Sequence, residues 1–186
     1  MALKLANVAC ALCCCASMAT AQKTLPKLKV SADHRFLVLE NGKPFFYLAD
    51  TAWELFHRLD RKDAAEYLKT RAGQGYSVVQ AVALAELDGL TDPNAYGQLP
   101  LVSKDPTHPA TNPGANPSKP AEYDYWDHVD YIVDETNRNG IYVGLLPTWG
   151  RWVVKNPRLD ETIFTTTSAQ TYGEFLGKRY GKKGVI

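Results

Sequence analysis

An α/β fold with a parallel sheet is predicted by three observations. Short apolar, β-rich runs alternate with stretches of helical period. Glycine-containing turns lead from each helical stretch into the next apolar run. The side chains with chemistry to offer cluster where those runs end, not where they begin. Alternation of this kind implies right-handed β-α-β crossovers.

Residues 1–21 stand apart from the fold. Lys4 precedes an apolar stretch of small residues from Leu5 to Met18, and Ala19-Thr20-Ala21 matches an A-x-A cleavage pattern. This reads as a secretory signal peptide, so an exported product (periplasmic or extracellular) is expected. A lipoprotein anchor at Cys10, Cys13, Cys14 or Cys15 ranks second, because no branched-then-small run precedes any of them. The stretch is too short and too rich in Ala and Cys for a membrane span. All four cysteines fall within it, so residues 22–186 depend on their core and not on disulfides. Removing Lys4 leaves 20 basic residues against 20 acidic ones. Nothing in that balance suits nucleic acid or a membrane surface.

The first fold element is a hairpin. Phe36–Leu39 and Phe45–Leu48 flank Glu40-Asn41-Gly42-Lys43-Pro44, and Asn-Gly between apolar runs is a strong turn signal. The second run continues to Ala49 without alternation, as a strand buried on both faces would. Asp60, with Asp63 three residues on, opens a helix whose inner face is Ala64, Leu68 and Ala72; Gly73 and Gly75 end it. Ser77–Leu84 is the next strand. From about Asp88 to Pro120 the chain holds seven of its 11 prolines and reads as one large functional loop. Tyr123–Asn139 is the clearest helix, with Trp126, Val129, Ile132 and Val133 on one stripe, Pro120 before it and Gly140 after it. Ile141–Leu146 is a third buried strand, and Ser168 caps a last helix carrying Tyr172, Phe175, Leu176 and Arg179. Gly184-Val185-Ile186 reads as entry to a further strand. By pattern alone, a doubly wound open sheet and part of a (βα)8 barrel both fit; a whole barrel needs roughly 250 residues.

In a parallel sheet all strand C-termini share one face, and ligands gather there. The first strand exits through Asp50-Thr51-Ala52-Trp53-Glu54, the second through Leu84-Ala85-Glu86-Leu87-Asp88, and the third through Pro147-Thr148-Trp149-Gly150-Arg151-Trp152. Indoles cover the apolar face of a sugar ring, carboxylates accept from its hydroxyls, and a guanidinium orients a carboxylate. Asp50, Trp53, Glu86, Trp149 and Arg151 are therefore the candidate substrate-binding residues. Each also has a plainer reading. Asp50 and Thr51 can cap the short helix that follows; Trp53, Leu55 and Phe56 can be core; Trp149 and Trp152 can plug the end of the sheet; Glu86 and Asp88 can be solvated loop acids. Their shared location is the argument.

Other chemistries lack their motifs. There is no phosphate-binding glycine loop, no G-x-S-x-G elbow and no H-E-x-x-H. His34, His57, His108 and His128 are scattered, so neither a metal nor another cofactor is expected, and His128 is expected on the helix surface.

The run Asn41-Gly42-Lys43-Pro44-Phe45-Phe46-Tyr47-Leu48-Ala49-Asp50-Thr51-Ala52-Trp53 resembles the N-terminal signature of the apiosidase-like glycoside hydrolases. So do Tyr125-Trp126-Asp127-His128-Val129-Asp130 and Gly140-Ile141-Tyr142-Val143-Gly144-Leu145-Leu146-Pro147-Thr148-Trp149-Gly150. The similarity runs from about Phe36 to the end. It implies the N-terminal part of a secreted (βα)8 TIM barrel, preceded by a β-hairpin and ending before or at its fourth strand. It also implies hydrolysis of plant cell-wall polysaccharide side chains by two carboxyl groups. Neither catalytic carboxyl can be assigned to a residue of this chain. A non-catalytic, secreted carbohydrate-binding or adhesion protein using the same face is the alternative.

Overall fold

The structure is a computed structural model that describes residues 25–155 and 162–186. The expected signal peptide over 1–21 lies outside the described residues. Strand β1 (Leu28–Val30) pairs antiparallel with β2 (Leu37–Leu39), and β3 (Ala49–Thr51), β4 (Val78–Val82) and β5 (Tyr142–Leu146) form a parallel sheet in that order. Helices α1 (Leu55–Arg58), α2 (Arg61–Gly73), α3 (Tyr125–Arg138) and α4 (Thr166–Tyr180) alternate with the parallel strands. This is the α/β architecture of a partial (βα)8 barrel. Val185 bridges Val143 in parallel, and Ile186 N–H donates to Val143 O at 2.8 Å, so a fourth parallel neighbour begins where expected.

The sheet register separates two faces. Asp50, Val79 and Val143 are aligned, as are Thr51, Gln80 and Gly144. Val79, Ala81, Ile141 and Val143 pack with Leu68, Trp126, Val129, Ile132 and Leu176 from the helices, so this face meets the helical layer. Thr51, Gln80 and Gly144 alternate with it and face the barrel interior. A Cβ on Gly144 would lie 2.7 Å from Tyr47 Oη and 3.1 Å from Gln80 Cγ, so the interior closes over this glycine.

The helices start as their sequences dictate. The Asp60 side chain accepts from Asp63 N–H at 2.8 Å, and Ala64 and Leu68 are fully buried. Asp124 and Asp127 form a reciprocal capping box for α3, whose inner stripe of Trp126, Val129, Ile132 and Val133 has no exposed surface. The α4 cap is Thr165, not Ser168. The Thr165 hydroxyl accepts from Ser168 N–H at 3.1 Å while Ser168 Oγ accepts from Thr165 N–H at 2.9 Å, which places Ser168 three residues inside the cap.

Two further expectations are corrected. The Asn41–Gly42 turn forms, with Gly42 at φ +83°, but the arm after it is no buried strand. Only Pro44 bridges Val38, and Phe46 is 78 % exposed. The arm does turn back onto β2 around that bridge, with Leu39 N–H donating to Lys43 O at 2.9 Å and Phe45 N–H to Leu37 O at 3.1 Å, but the longer partner of β2 is the upstream strand β1. His128 is wholly buried and not on the surface. Its Nε2–H donates to Leu59 O at 2.9 Å, its Nδ1 accepts from Tyr123 Oη at 3.3 Å, and burial pushes its imidazole down to about 4.

The long loop is ordered by ties to α3 and α2. Trp126 Nε1 donates to Pro100 O at 2.9 Å, Asn112 N–H donates to Asp124 Oδ2 at 2.8 Å, and Arg61 N–H donates to Tyr96 Oη at 3.1 Å. Leu90 and Leu101 carry the loop into the core. It contains two short 3₁₀ turns, Val102–Lys104 and Pro120–Glu122.

Candidate functional site at the strand C-termini

The exit of β4 is organised by its carbonyls. Past the last strand residue, a peptide oxygen has no ladder partner and must find one. Tyr125 Oη donates to Ala83 O at 2.8 Å, Trp152 Nε1 to Ala85 O at 3.2 Å, and Arg151 Nη1 to Glu86 O at 3.0 Å. The Arg151 guanidinium carbon also lies 4.4 Å from the centre of the Trp152 ring. Two rings and one cation thereby hold this exit in place. Trp152 is buried, so its indole is framework rather than a free surface.

Trp53 and Trp149 behave differently. They follow different strands, yet their ring centroids lie 4.7 Å apart at an interplanar angle of 51°. Trp53 is 43 % exposed and Trp149 is half-buried. An exposed indole seated on a second indole is a fixed apolar surface at the mouth of the sheet. Glu86 is half-buried beside Arg151, and Leu87 and Asp88 are exposed. Thus Trp53 meets Trp149, and Arg151 meets the backbone of Glu86.

Asp50 lines a cavity along β3 that Trp53 and Glu54 also line. It lies within β3, on the side of the sheet that faces the helices. Tyr67 Oη donates to Asp50 Oδ2 at 2.6 Å, and Arg71 Nε donates to the same oxygen. Partial burial works upward on this carboxyl, but the Tyr67 and Arg71 bonds outweigh it and hold the group below its ordinary range. The same contact, with burial foremost, raises the Tyr67 phenol to about 12. Asp50 does not cap α1. Glu54 occupies that position, with no side-chain capping bond.

Glu54 is engaged within its own helical turn. Glu54 Oε2 lies 2.9 Å from His57 Nδ1 and 3.7 Å from Arg58 Nε. Arg58 in turn pairs with Asp92 at 2.6 Å and donates to Leu87 O at 3.1 Å, fastening the long loop to α1. The cavity along β3, of about 420 Å³, is lined among others by Trp53, Glu54 and Arg58 and by the Asp50, Tyr67 and Arg71 cluster. The i, i+3, i+4 spacing of Glu54, His57 and Arg58 was the available signal. Among the described residues no group of three or more His, Cys, Asp or Glu side chains is placed to hold a metal ion. No helix among them is long and apolar enough to cross a membrane.

A sequence model of the family described as "Apiosidase-like, catalytic domain" matches residues 31–186. The chain belongs to the apiosidase-like family. Its similarity to solved structures agrees. A glycoside hydrolase family 5 protein from Bacteroides vulgatus is 32 % identical with a TM-score of 0.66, over 89 % of this chain and 34 % of that one. A structure titled "Glycoside hydrolase" is 33 % identical with a TM-score of 0.66, over 88 % of this chain and 35 % of its own. A third, also from Bacteroides vulgatus, is 17 % identical with a TM-score of 0.54, a likeness of fold alone. The chain spans about a third of the length of these structures. No curated protein matches. The partial (βα)8 barrel is therefore the fold of an apiosidase-like domain, similar to glycoside hydrolase structures.

Proposed function

We propose that this chain supplies the first strands of an exported glycoside hydrolase that removes side-chain sugars from plant cell-wall polysaccharide, with an apiosidase-like specificity. Residues 22–186 are then the N-terminal portion of its barrel domain, following a signal peptide over 1–21. The observation that carries this reading is the Trp53–Trp149 pair, whose centroids lie 4.7 Å apart at the strand C-termini. A sugar ring lays its C–H face on such a surface and turns its hydroxyls toward the acids around it. Glu86 accepts from those hydroxyls, and Arg151 keeps the Glu86 exit in register. Asp50 supports the same wall from behind, by joining β3 to α2 through Tyr67 and Arg71.

Cleavage in this reading uses two carboxyl groups. Asp50, Glu54 and Asp92 are already engaged by Arg71, His57 and Arg58 respectively. The matched structures are about three times as long as this chain. Both points favour a catalytic pair on later strand ends, with the present residues as walls of the sugar subsite. The test is to incubate the complete gene product with pectic glycans and analyse the released sugars. Release of apiose or a related side-chain sugar is expected. Binding without release would favour the carbohydrate-binding alternative, and inertness toward all glycans would refute the proposal.

A further inference from the structure

We propose that Glu54 is the carboxyl that grips a ring hydroxyl beside the Trp53 indole, and that His57 is its positioning residue. This rests on the carbohydrate reading above. Glu54 sits at the N-cap of α1, where a side chain ordinarily turns back to the helix N–H groups, yet it makes no such bond. Its contacts to His57 and Arg58 both fall on Oε2. Among the described residues, none donates a hydrogen bond to Oε1. The side chain is 24 % exposed and lines the same cavity of about 420 Å³ as Trp53.

The His57 ring, by contrast, is wholly buried and cannot reach a ligand. Its Nε2 lies 2.8 Å from Asp92 O. A carbonyl can only accept, so Nε2 carries a hydrogen. The ring's other nitrogen, Nδ1, lies 2.9 Å from Glu54 Oε2. That contact holds Oε2 in place. A carboxyl anchored by one oxygen has little rotamer freedom left to lose, so its other oxygen is pre-organised to accept from a ligand hydroxyl. Were His57 only an anchor for the loop at Asp92, the Nε2 bond alone would suffice.

The two roles separate by substitution. Tryptophan fluorescence of the complete gene product is titrated with pectin-derived oligosaccharides of mixed length, and near-ultraviolet circular dichroism confirms that each variant is folded. Glu54→Gln should raise Kd about tenfold, because a charge-assisted bond is replaced by a neutral one. His57→Gln retains a donor for Asp92 O but none for Glu54, and should weaken binding to a similar degree. His57→Asn places an amide donor near the Nδ1 position and should recover most of the affinity. Unchanged binding by Glu54→Gln, or tighter binding by His57→Gln than by His57→Asn, would overturn the inference and leave the carbohydrate reading standing. If Glu54→Gln does not fold, the order of the two His57 variants decides alone. Failure of the unaltered protein to bind any of these oligosaccharides would remove both.

Discussion

The two ends of the parallel sheet are built by different means. At the mouth, an indole, a phenol and a guanidinium donate into strand-exit carbonyls, and two further tryptophans from separate strands meet. At the foot, the chain enters the strands through turns. Gly75 and Gly140 adopt φ values of +85° and +80°, Ser77 Oγ donates to Phe46 O at 2.6 Å, and Lys183 pairs with Asp134 at 2.7 Å. The larger cavity, about 940 Å³, is also at the foot, lined by Lys27, Arg138, Lys182 and Lys183 among others. Cavity volume and aromatic lining therefore do not coincide in this molecule. The foot is lined by turns and exposed cations, whereas the mouth converges rigid aromatic faces with partly exposed carboxyls.

The largest expected effect would break the framework of the mouth. Trp152→Ala should cost about 3–5 kcal/mol, because it empties a buried ring site and strands the Ala85 carbonyl. Thermal unfolding reads this, and a loss under 1 kcal/mol would show that the mouth does not depend on it. Next is His128, which belongs to the core beneath the mouth. Its folded value of about 4 lies below the ordinary 6.5, so the unfolded chain binds more protons between these limits. Stability should fall by up to about 3 kcal/mol as pH drops from 6.5 to 4. His128→Gln, which keeps a donor for Leu59 O, should flatten that limb in melts across pH.

Asp50→Asn comes third, at about 1 kcal/mol, because it weakens a charge-assisted tie between β3 and α2. A folded value held below the ordinary one contributes stability at neutral pH that is lost as pH falls through it. The variant should therefore show less acid loss than the parent. Trp53→Ala should sharpen the comparison from the other side. It is expected to change stability by less than about 1 kcal/mol, since the ring is half open to solvent, while weakening oligosaccharide binding about tenfold. The smallest effect belongs to the foot, where Lys183→Ala breaks a pair whose Asp134 partner is about half exposed and should alter stability by less than about 0.5 kcal/mol. A larger loss there than at Trp152 would reverse the contrast between the ends.

The elements most legible in the sequence were those with local causes. Asp60 and Asp63, the stripe from Trp126 to Val133, and the glycines at 75 and 140 acted within a few residues of themselves. The failures each had a remote partner. β1 is three residues long and was invisible without β2 opposite it. His128 read as surface because its acceptor, Leu59 O, lies 69 residues away in sequence. Nothing local announces, either, that Tyr67 and Arg71 will reach Asp50 from α2.

Local pattern alone determined the α/β class, the strand and helix order, and the concentration of acids and indoles after the strands. Periodicity and capping act over one turn or one pleat, so a linear reading captures them. Tertiary structure decided which of those residues meet. Register set Asp50 against the helices, and parallel alignment brought Trp53 onto Trp149. Such contacts depend on the relative placement of separate elements, and no single segment encodes that placement.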